Sequence, residues 1–231
     1  MPFPITIPIL ASGRAHSNAM RYFRLCANAL VVYRSAYNTA ESRAKTIDDE
    51  NPLDDQTTYL FEAVEDAAVL PVVLGAMCLE SALFDLGSCL YGDEFAARID
   101  KLDAPAKFSV IKQLVDREEP DAGSITHQTM RSLAIARNRL IHHKSIPFHD
   151  FNIGKVIEHT RREREVQRSG IDASFRSLVF LSTSFDGNIF EELQILPSFK
   201  REEYWKTVVP IALHKDVRWC LQANTRQRAR K

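Results

Sequence analysis

Apolar residues recur at helical spacing along most of the chain. The strongest pattern lies in residues 57–92, where leucines follow an i, i+4, i+7, i+11 spacing along one helix face. These leucines are Leu79, Leu83, Leu86 and Leu90. Pro71 lies inside the segment, where a proline either begins a new helix or kinks a continuous one. The pattern predicts a core helix that ends near Gly92.

Further segments combine the same periodicity with helix start and stop signals. Ser17 or Asn18 can cap the first of them and Ser124 a later one, while Pro105 stands near the first turn of another. Pro210 is expected to interrupt the last helix. The predicted helices, in chain order, cover residues 17–45, 57–92, 94–99, 104–119, 124–147, 153–170 and 201–224.

One segment shows a different pattern. In residues 177–196 an Asp-Gly turn signal stands between two apolar runs, which predicts a β-hairpin, although the second run can equally open a helix.

The chain is predicted to divide into a helical extension with an acidic linker (1–56), a helical core (57–170) and a C-terminal extension (171–231) packed on the core as one domain. The predicted architecture is a mainly α, antiparallel helical bundle.

Composition limits the classes of function. Of the 231 residues, 45% are hydrophobic and 26% are charged, which is typical of a globular protein. Thirty Lys and Arg balance thirty Asp and Glu, so the formal net charge is zero. The chain as a whole is therefore not attracted to nucleic acid or to an anionic membrane, and any such attraction must come from local charge.

Membrane and export signals are not expected. The longest apolar run, residues 67–79, is shorter than the roughly 18 residues that a spanning helix needs, and residues 1–15 lack a basic first segment. The four cysteines form no C-x-x-C pair, which predicts reduced thiols and no zinc or redox motif. They are Cys26, Cys78, Cys89 and Cys220. We expect a cytoplasmic protein without a membrane partner.

The helix predicted over residues 124–147 ends in a polar cluster, ARNRLIHHKS, residues 136–145. Arg137 and His142 are five residues apart, so they lie about 140° apart around a helix and cannot share one face. Asn138 and His142 are i, i+4 neighbours, so the Asn138 side chain can hydrogen-bond the imidazole and fix its tautomer.

Arg137 is predicted to emerge from an apolar surface, because it shares its face with Leu133, Leu140 and Ile141. A half-buried guanidinium costs free energy unless an anion or another acceptor receives it. One helix therefore offers an oriented histidine and a half-buried arginine that do not meet. A second copy of the chain, related by a two-fold axis, would bring both groups into one cleft.

Arginine and histidine without a metal-ligand set suit RNA cleavage. A 2′-hydroxyl can attack the neighbouring phosphodiester if a base removes its proton and an acid protonates the leaving oxygen. Histidine titrates near neutral pH and can do both. Arginine can stabilise the charge that develops on the phosphoryl oxygens.

The same residues resemble the R-x4-H motif of the HEPN superfamily, matched here by Arg137-Asn138-x-x-x-His142. Residues 76–86, with Glu80, resemble the first long core helix of that family, and residues 104–114 resemble its short connecting helix, with Lys107. The resemblance covers roughly residues 66–146. It implies a four-helix core that usually dimerises, with two R-x4-H motifs meeting across the interface.

The resemblance also implies a function. Many HEPN proteins are metal-independent endoribonucleases that act as toxins or in phage defence, so no cofactor and no metal is expected, and RNA is the expected substrate. Arg137 would contact the scissile phosphate, His142 would be the acid and base, Asn138 would support the histidine, and Glu80 would be a further site residue. His143 fits looser forms of the motif and can assist or replace His142. An antitoxin or a nucleotidyltransferase is the expected protein partner.

Two other hypotheses remain open at this point. HEPN proteins that have lost catalysis serve as dimeric nucleotide-binding, RNA-binding or scaffolding modules, and the neutral net charge agrees with that use. A metal-dependent phosphohydrolase could instead use His142, His143 and the His149-Asp150 pair, although Pro147 separates that pair from the helix. Metal bound in stoichiometric amount would favour the phosphohydrolase.

Overall fold

The computed structural model describes residues 17–45, 55–117, 121–142, 153–185 and 189–229. Within these ranges the chain is helical and contains no strand, which confirms the mainly α prediction. The helices are α1 (Asn18–Ala44), α2 (Asp55–Tyr91), α3 (Asp93–Ile99), α4 (Ala104–Asp116), α5 (Ile125–Ile141), α6 (Ile153–Ser184), α7 (Ile189–Glu192), α8 (Glu202–Val208) and α9 (His214–Arg228), with a 3₁₀ turn at Ile211–Leu213.

Capping side chains set the first residues of the helices that build the site. The Asp103 carboxylate accepts a hydrogen bond from the backbone N–H of Ala106 (2.9 Å) at the start of α4. The Ser124 hydroxyl accepts from the N–H of His127 (3.2 Å) at the start of α5. Each cap satisfies a backbone donor that has no partner within the first turn of its helix. Ser17 caps α1 in the same way.

α1 packs antiparallel along α2, and two cysteine thiols mark the register. The Cys78 thiol donates to the carbonyl of Ala19 (3.2 Å), and the Cys26 thiol donates to the carbonyl of Pro71 (3.5 Å). α2 continues through Pro71, which lies buried in its middle.

All four cysteines are free thiols. Burial raises the pKa of Cys26 to about 12, which disfavours the reactive thiolate.

α6 crosses α5 and α2 at two glycines. A Cβ atom added to Gly170 would overlap the Cβ of Ala136 on α5, and one added to Gly75 on α2 would lie 2.8 Å from the Cβ of Ser174. Only glycine allows the backbones to approach this closely. The α5–α6 crossing lies next to Arg137 and therefore fixes the position of the R-x4-H helix.

The β-hairpin predicted over residues 177–196 is not formed in the part of this segment that the structure describes. Residues 177–184 continue α6, and Ile189–Glu192 forms α7. Every side chain from Ser177 to Phe185 is buried, so this part of α6 has no polar face from which a period could be recognised. α6 also runs without a break through residue 170, the end of the predicted core.

Buried hydroxyls in this part of α6 bond back to the helix itself. Thr183 donates to the carbonyl of Val179 (2.9 Å), and Ser184 donates to the carbonyl of Phe180 (2.6 Å). Such bonds satisfy the hydroxyls without a neighbouring strand. They explain how a helix rich in Ser and Thr can be buried on all sides.

A buried carboxylate ties the C-terminal helix to the rest of the fold. Asp216 on α9 accepts from Arg34 on α1 (2.6 Å) and from Arg176 on α6 (3.1 Å). Burial raises the pKa of Asp216, but the hydrogen bonds and charges of Arg34 and Arg176 outweigh burial and lower it overall. The break predicted at Pro210 is present, because α8 ends at Val208 and α9 begins at His214.

By length and composition alone, α2 could cross a membrane. Half of its most apolar window is buried inside the structure, and the core helix of a soluble protein meets the same criteria. The expectation that the protein has no membrane partner stays a prediction.

Candidate functional site

A cavity of about 490 Å³ opens between α1, α2, α5 and the turn that joins α3 to α4. Most of its wall is apolar. Its polar lining is Tyr22, Glu80, Lys101, Asp103, Arg137 and Asn138. Three of the five predicted site residues, Glu80, Arg137 and Asn138, therefore face one cavity, although they come from two helices.

Arg137 lies at the rim of this cavity and is exposed, so the prediction of a half-buried guanidinium is wrong. The buried face of α5 is formed by Met130, Leu133 and Ala136, and Arg137 lies about 100° beyond Ala136 around the helix. That offset turns the side chain away from the core. Arg137 makes no ion pair with any described residue, so its positive charge is available to a ligand.

The Asn138 side chain is hydrogen-bonded to Arg137. The predicted bond from Asn138 to the His142 imidazole is not the one that the structure shows. The Asn138 side-chain oxygen accepts from an Nη of Arg137 (2.9 Å), and the link to His142 is a backbone hydrogen bond from its N–H to the Asn138 carbonyl (2.9 Å). α5 ends at Ile141, and His142 has φ −114° and ψ 32°, outside helical geometry. Its side chain therefore leaves the i, i+4 position that the prediction assumed.

His142 is exposed at the end of α5 and does not line the cavity. The geometry agrees with the expectation that Arg137 and His142 of one chain do not converge. His143 lies outside the described residues, as do His149 and Asp150 of the phosphohydrolase hypothesis. Among the described residues there is no group of three or more His, Cys, Asp or Glu side chains that could hold a metal.

Glu80 is held in place by Lys107 on α4. The Lys107 ammonium, in a residue only 3% exposed, donates to the Glu80 carboxylate and to Asp100 (2.9 Å). Burial lowers the pKa of Lys107, but the hydrogen bonds and charges of Asp100 and Glu80 outweigh burial and raise it overall. The ion pair anchors Glu80 on the cavity wall while 41% of its side chain stays accessible.

Tyr22, Lys101 and Asp103 also line the cavity, and the sequence did not indicate them. Lys101 and Asp103 lie in the turn directly before α4. Because α4 covers the residues that resemble the HEPN connecting helix, this position could have marked both residues as candidates from the sequence. Tyr22 belongs to α1, and no local pattern marks it. Its place in the cavity depends on how α1 packs on α2.

Arg139 on α5 and the arginines Arg161 and Arg162 on α6 lie outside this site. Arg139 donates to Glu163 (2.6 Å), and Arg161 and Arg162 both bond to Glu158. These contacts agree with a solvated, charge-paired surface.

No protein-family model, no curated protein and no solved structure matches the chain.

Proposed function

We propose that the protein is a metal-independent endoribonuclease of the HEPN type. The observation that carries the proposal is that Arg137, Asn138 and Glu80 share one cavity, with Arg137 at the rim and unpaired with any carboxylate among the described residues. A guanidinium placed in this way can receive phosphate through two parallel N–H donors. Asn138 orients it from the neighbouring position.

The proposed reaction is attack by a ribose 2′-hydroxyl on the adjacent phosphorus. A base takes the hydroxyl proton, the P–O5′ bond breaks, and an acid gives a proton to the leaving 5′-oxygen. The products are a 2′,3′-cyclic phosphate and a free 5′-hydroxyl. His142 is the proposed acid and base, His143 assists or replaces it, and Arg137 stabilises the charge on the phosphoryl oxygens.

The proposal includes a homodimer, because His142 of one chain is not in the cavity that holds Arg137. A two-fold axis near the end of α5 would place His142 of one copy beside Arg137 of the other. Each dimer would then carry two equivalent sites at its interface.

RNA cleavage in EDTA tests the proposal. We expect purified protein to cut mixed cellular RNA into fragments ending in 2′,3′-cyclic phosphate, and we expect Arg137→Ala and His142→Ala each to slow cleavage by about 10²–10⁴-fold. Arg139→Ala is the matched control, because Arg139 pairs with Glu163 outside the cavity. Undiminished cleavage by the His142→Ala, His143→Ala double variant would contradict the assignment.

A second candidate is a non-catalytic, HEPN-like dimer that binds nucleotide or RNA or acts as a scaffold. The zero net charge and the position of His142 outside the cavity of its own chain favour it. Binding of RNA without any cleavage in the experiment above would select this function.

The proposed biological setting is a cytoplasmic toxin or phage-defence system, with an antitoxin or a nucleotidyltransferase as the restraining partner. Unrestrained RNA cleavage stops growth, so induced expression in a bacterial host should arrest growth for the wild type and not for His142→Ala. If both forms arrest growth equally, RNA cleavage by His142 is not the cause of the toxicity.

A further inference from the structure

We infer that the cavity beside Arg137 is a base-binding subsite that selects guanine at the nucleotide next to the cleaved phosphate. This inference rests on the proposed function only in placing the bound base beside a scissile phosphate. The volume of about 490 Å³ lies within the usual range of small-ligand pockets. The cavity is thus larger than a phosphate group requires.

Part of the cavity wall is apolar. Ala76 and Leu79 on α2 and Leu133 on α5 line it, while Met77 and Leu102 are both about 40% exposed at its edge. A sugar-phosphate backbone gains nothing from such a wall, whereas a nucleobase can bury an apolar ring face against it.

Tyr22 adds an aromatic ring to the same wall. It is half-buried, and it reaches the cavity from α1, outside the residues that resemble HEPN proteins. Aromatic side chains stack on single-stranded bases, each stack being sequence-tolerant by itself. Stacking on Tyr22 therefore explains why a base binds, but it does not explain why one of the four bases is preferred.

Glu80 determines which of the four bases is preferred. A carboxylate only accepts hydrogen bonds and has about four lone-pair sites, of which the Lys107 ammonium takes one. Guanine presents two adjacent donors, N1–H and the 2-amino group, which match the two oxygens of a carboxylate. Adenine and cytosine place an acceptor nitrogen beside their amino group, and uracil flanks its one N–H with carbonyls, so each meets Glu80 less well.

Two cations of the same cavity can receive the phosphate of the bound nucleotide. Lys101 and Arg137 both line the cavity, and neither pairs with a carboxylate in the part of the chain that the structure describes. Asp103 also lines it, but its side chain already accepts from the N–H of Ala106. Base recognition and phosphate recognition therefore come from different groups of one cavity.

Calorimetric titration of the full chain with the four nucleoside 3′-monophosphates tests the subsite. We expect guanosine 3′-monophosphate to bind about 10- to 100-fold more tightly than the other three. Glu80→Gln should remove most of this preference, because the amide turns one acceptor into a donor. Tyr22→Leu should weaken all four nucleotides by a similar factor.

Asp100→Asn is the matched control. It removes the other carboxylate of Lys107, outside the cavity, and should keep the guanine preference. Thermal unfolding of each variant shows whether it is folded before its binding is compared. Equal binding of all four nucleotides by the wild type, or an unchanged preference in folded Glu80→Gln, would overturn the subsite.

Mapping of RNA cut sites separates this inference from the proposed function. Cleavage that depends on Arg137 and His142 but occurs equally beside all four bases would overturn the subsite and leave the nuclease in place. Selective binding of guanosine 3′-monophosphate by a protein that cuts no RNA would support the subsite and reject the nuclease.

Discussion

At the scale of single residues, Lys107 determines the form of the candidate site. Its charge is almost completely removed from solvent, and two carboxylates from different elements, Glu80 and Asp100, receive it. Such a group is tolerated only because it is paired and hydrogen-bonded. The side chains of Glu80 and Asp100 are 41% and 57% exposed, so solvent screens part of the attraction.

Replacing Lys107 by methionine should destabilise the fold. We expect Lys107→Met to lower the free energy of unfolding by about 1–2 kcal/mol, since the side-chain volume is kept but two carboxylates lose their donor. Urea denaturation at neutral pH measures the effect. Lys101→Met, in an exposed residue that lines the same cavity, serves as the control and should leave stability within about 0.5 kcal/mol.

Asp216 should make stability depend on acid pH. Its pKa is lowered in the folded protein, so its contribution is complete above the unfolded value of about 3.9 and disappears as pH falls through the folded value. We expect the wild type to lose more stability than Asp216→Asn between about pH 5 and pH 2. Urea midpoints across this range measure the difference, and parallel curves for the two proteins would show that Asp216 is not the group responsible.

The sequence could group Arg137, Asn138 and Glu80 as candidate residues, because a motif and its flanking helices carry their spacing, and all three line one cavity. It could not identify Tyr22, since the position of that ring depends on the packing of α1, which lies outside the resemblance. It also could not show that Asn138 bonds to Arg137. α5 ends at Ile141, so His142 leaves the helical position that the spacing assumed, and spacing alone does not reveal where a helix ends.

At the scale of helices, close contacts between backbones hold the R-x4-H helix in place. Gly170 allows α6 to touch α5 at Ala136, the residue before Arg137. The arginine therefore projects from a part of α5 that is fixed against the core. His142, which follows the last residue of α5, is exposed.

Gly170→Ala should disturb this crossing. The added methyl group would overlap Ala136, so we expect a loss of about 1–3 kcal/mol in unfolding free energy. Gly154→Ala is the matched control, because Gly154 is exposed on the same helix and alanine there should be neutral or slightly stabilising. Adding Ala136→Gly to Gly170→Ala should recover part of the loss, and no recovery would show that the overlap is not its cause.

Helices with one polar face could be recognised from the sequence, and α2 and the start of α5 show why. Each combines a helical period with a start or stop signal, such as the Ser124 cap. Residues 177–184 of α6 offer no such contrast, because their side chains are all buried. An apolar run without a polar face fits a strand as well as a helix, and the Asp-Gly pair then suggested a turn.

At the scale of the whole molecule, the cavity joins parts of the chain that are far apart in sequence. α1 brings Tyr22, the α3–α4 turn brings Lys101, and α5 brings Arg137. Ser17, at the start of α1, donates to Asp85 on α2 (2.6 Å) and helps to fix α1 over the core. One chain therefore builds the cavity by itself, but His142 lies apart from that cavity.

Mixing two inactive variants tests most directly whether Arg137 and His142 from different copies form one RNA-cleaving site. Arg137→Ala and His142→Ala chains are purified separately, then unfolded and refolded together in equal amounts, and RNA cleavage is measured in EDTA. Half of the dimers are then mixed and each mixed dimer holds one intact site, so the expected rate is about a quarter of the wild-type rate. A mixture no more active than the separate variants, with mixed dimers shown to be present, would contradict a shared site.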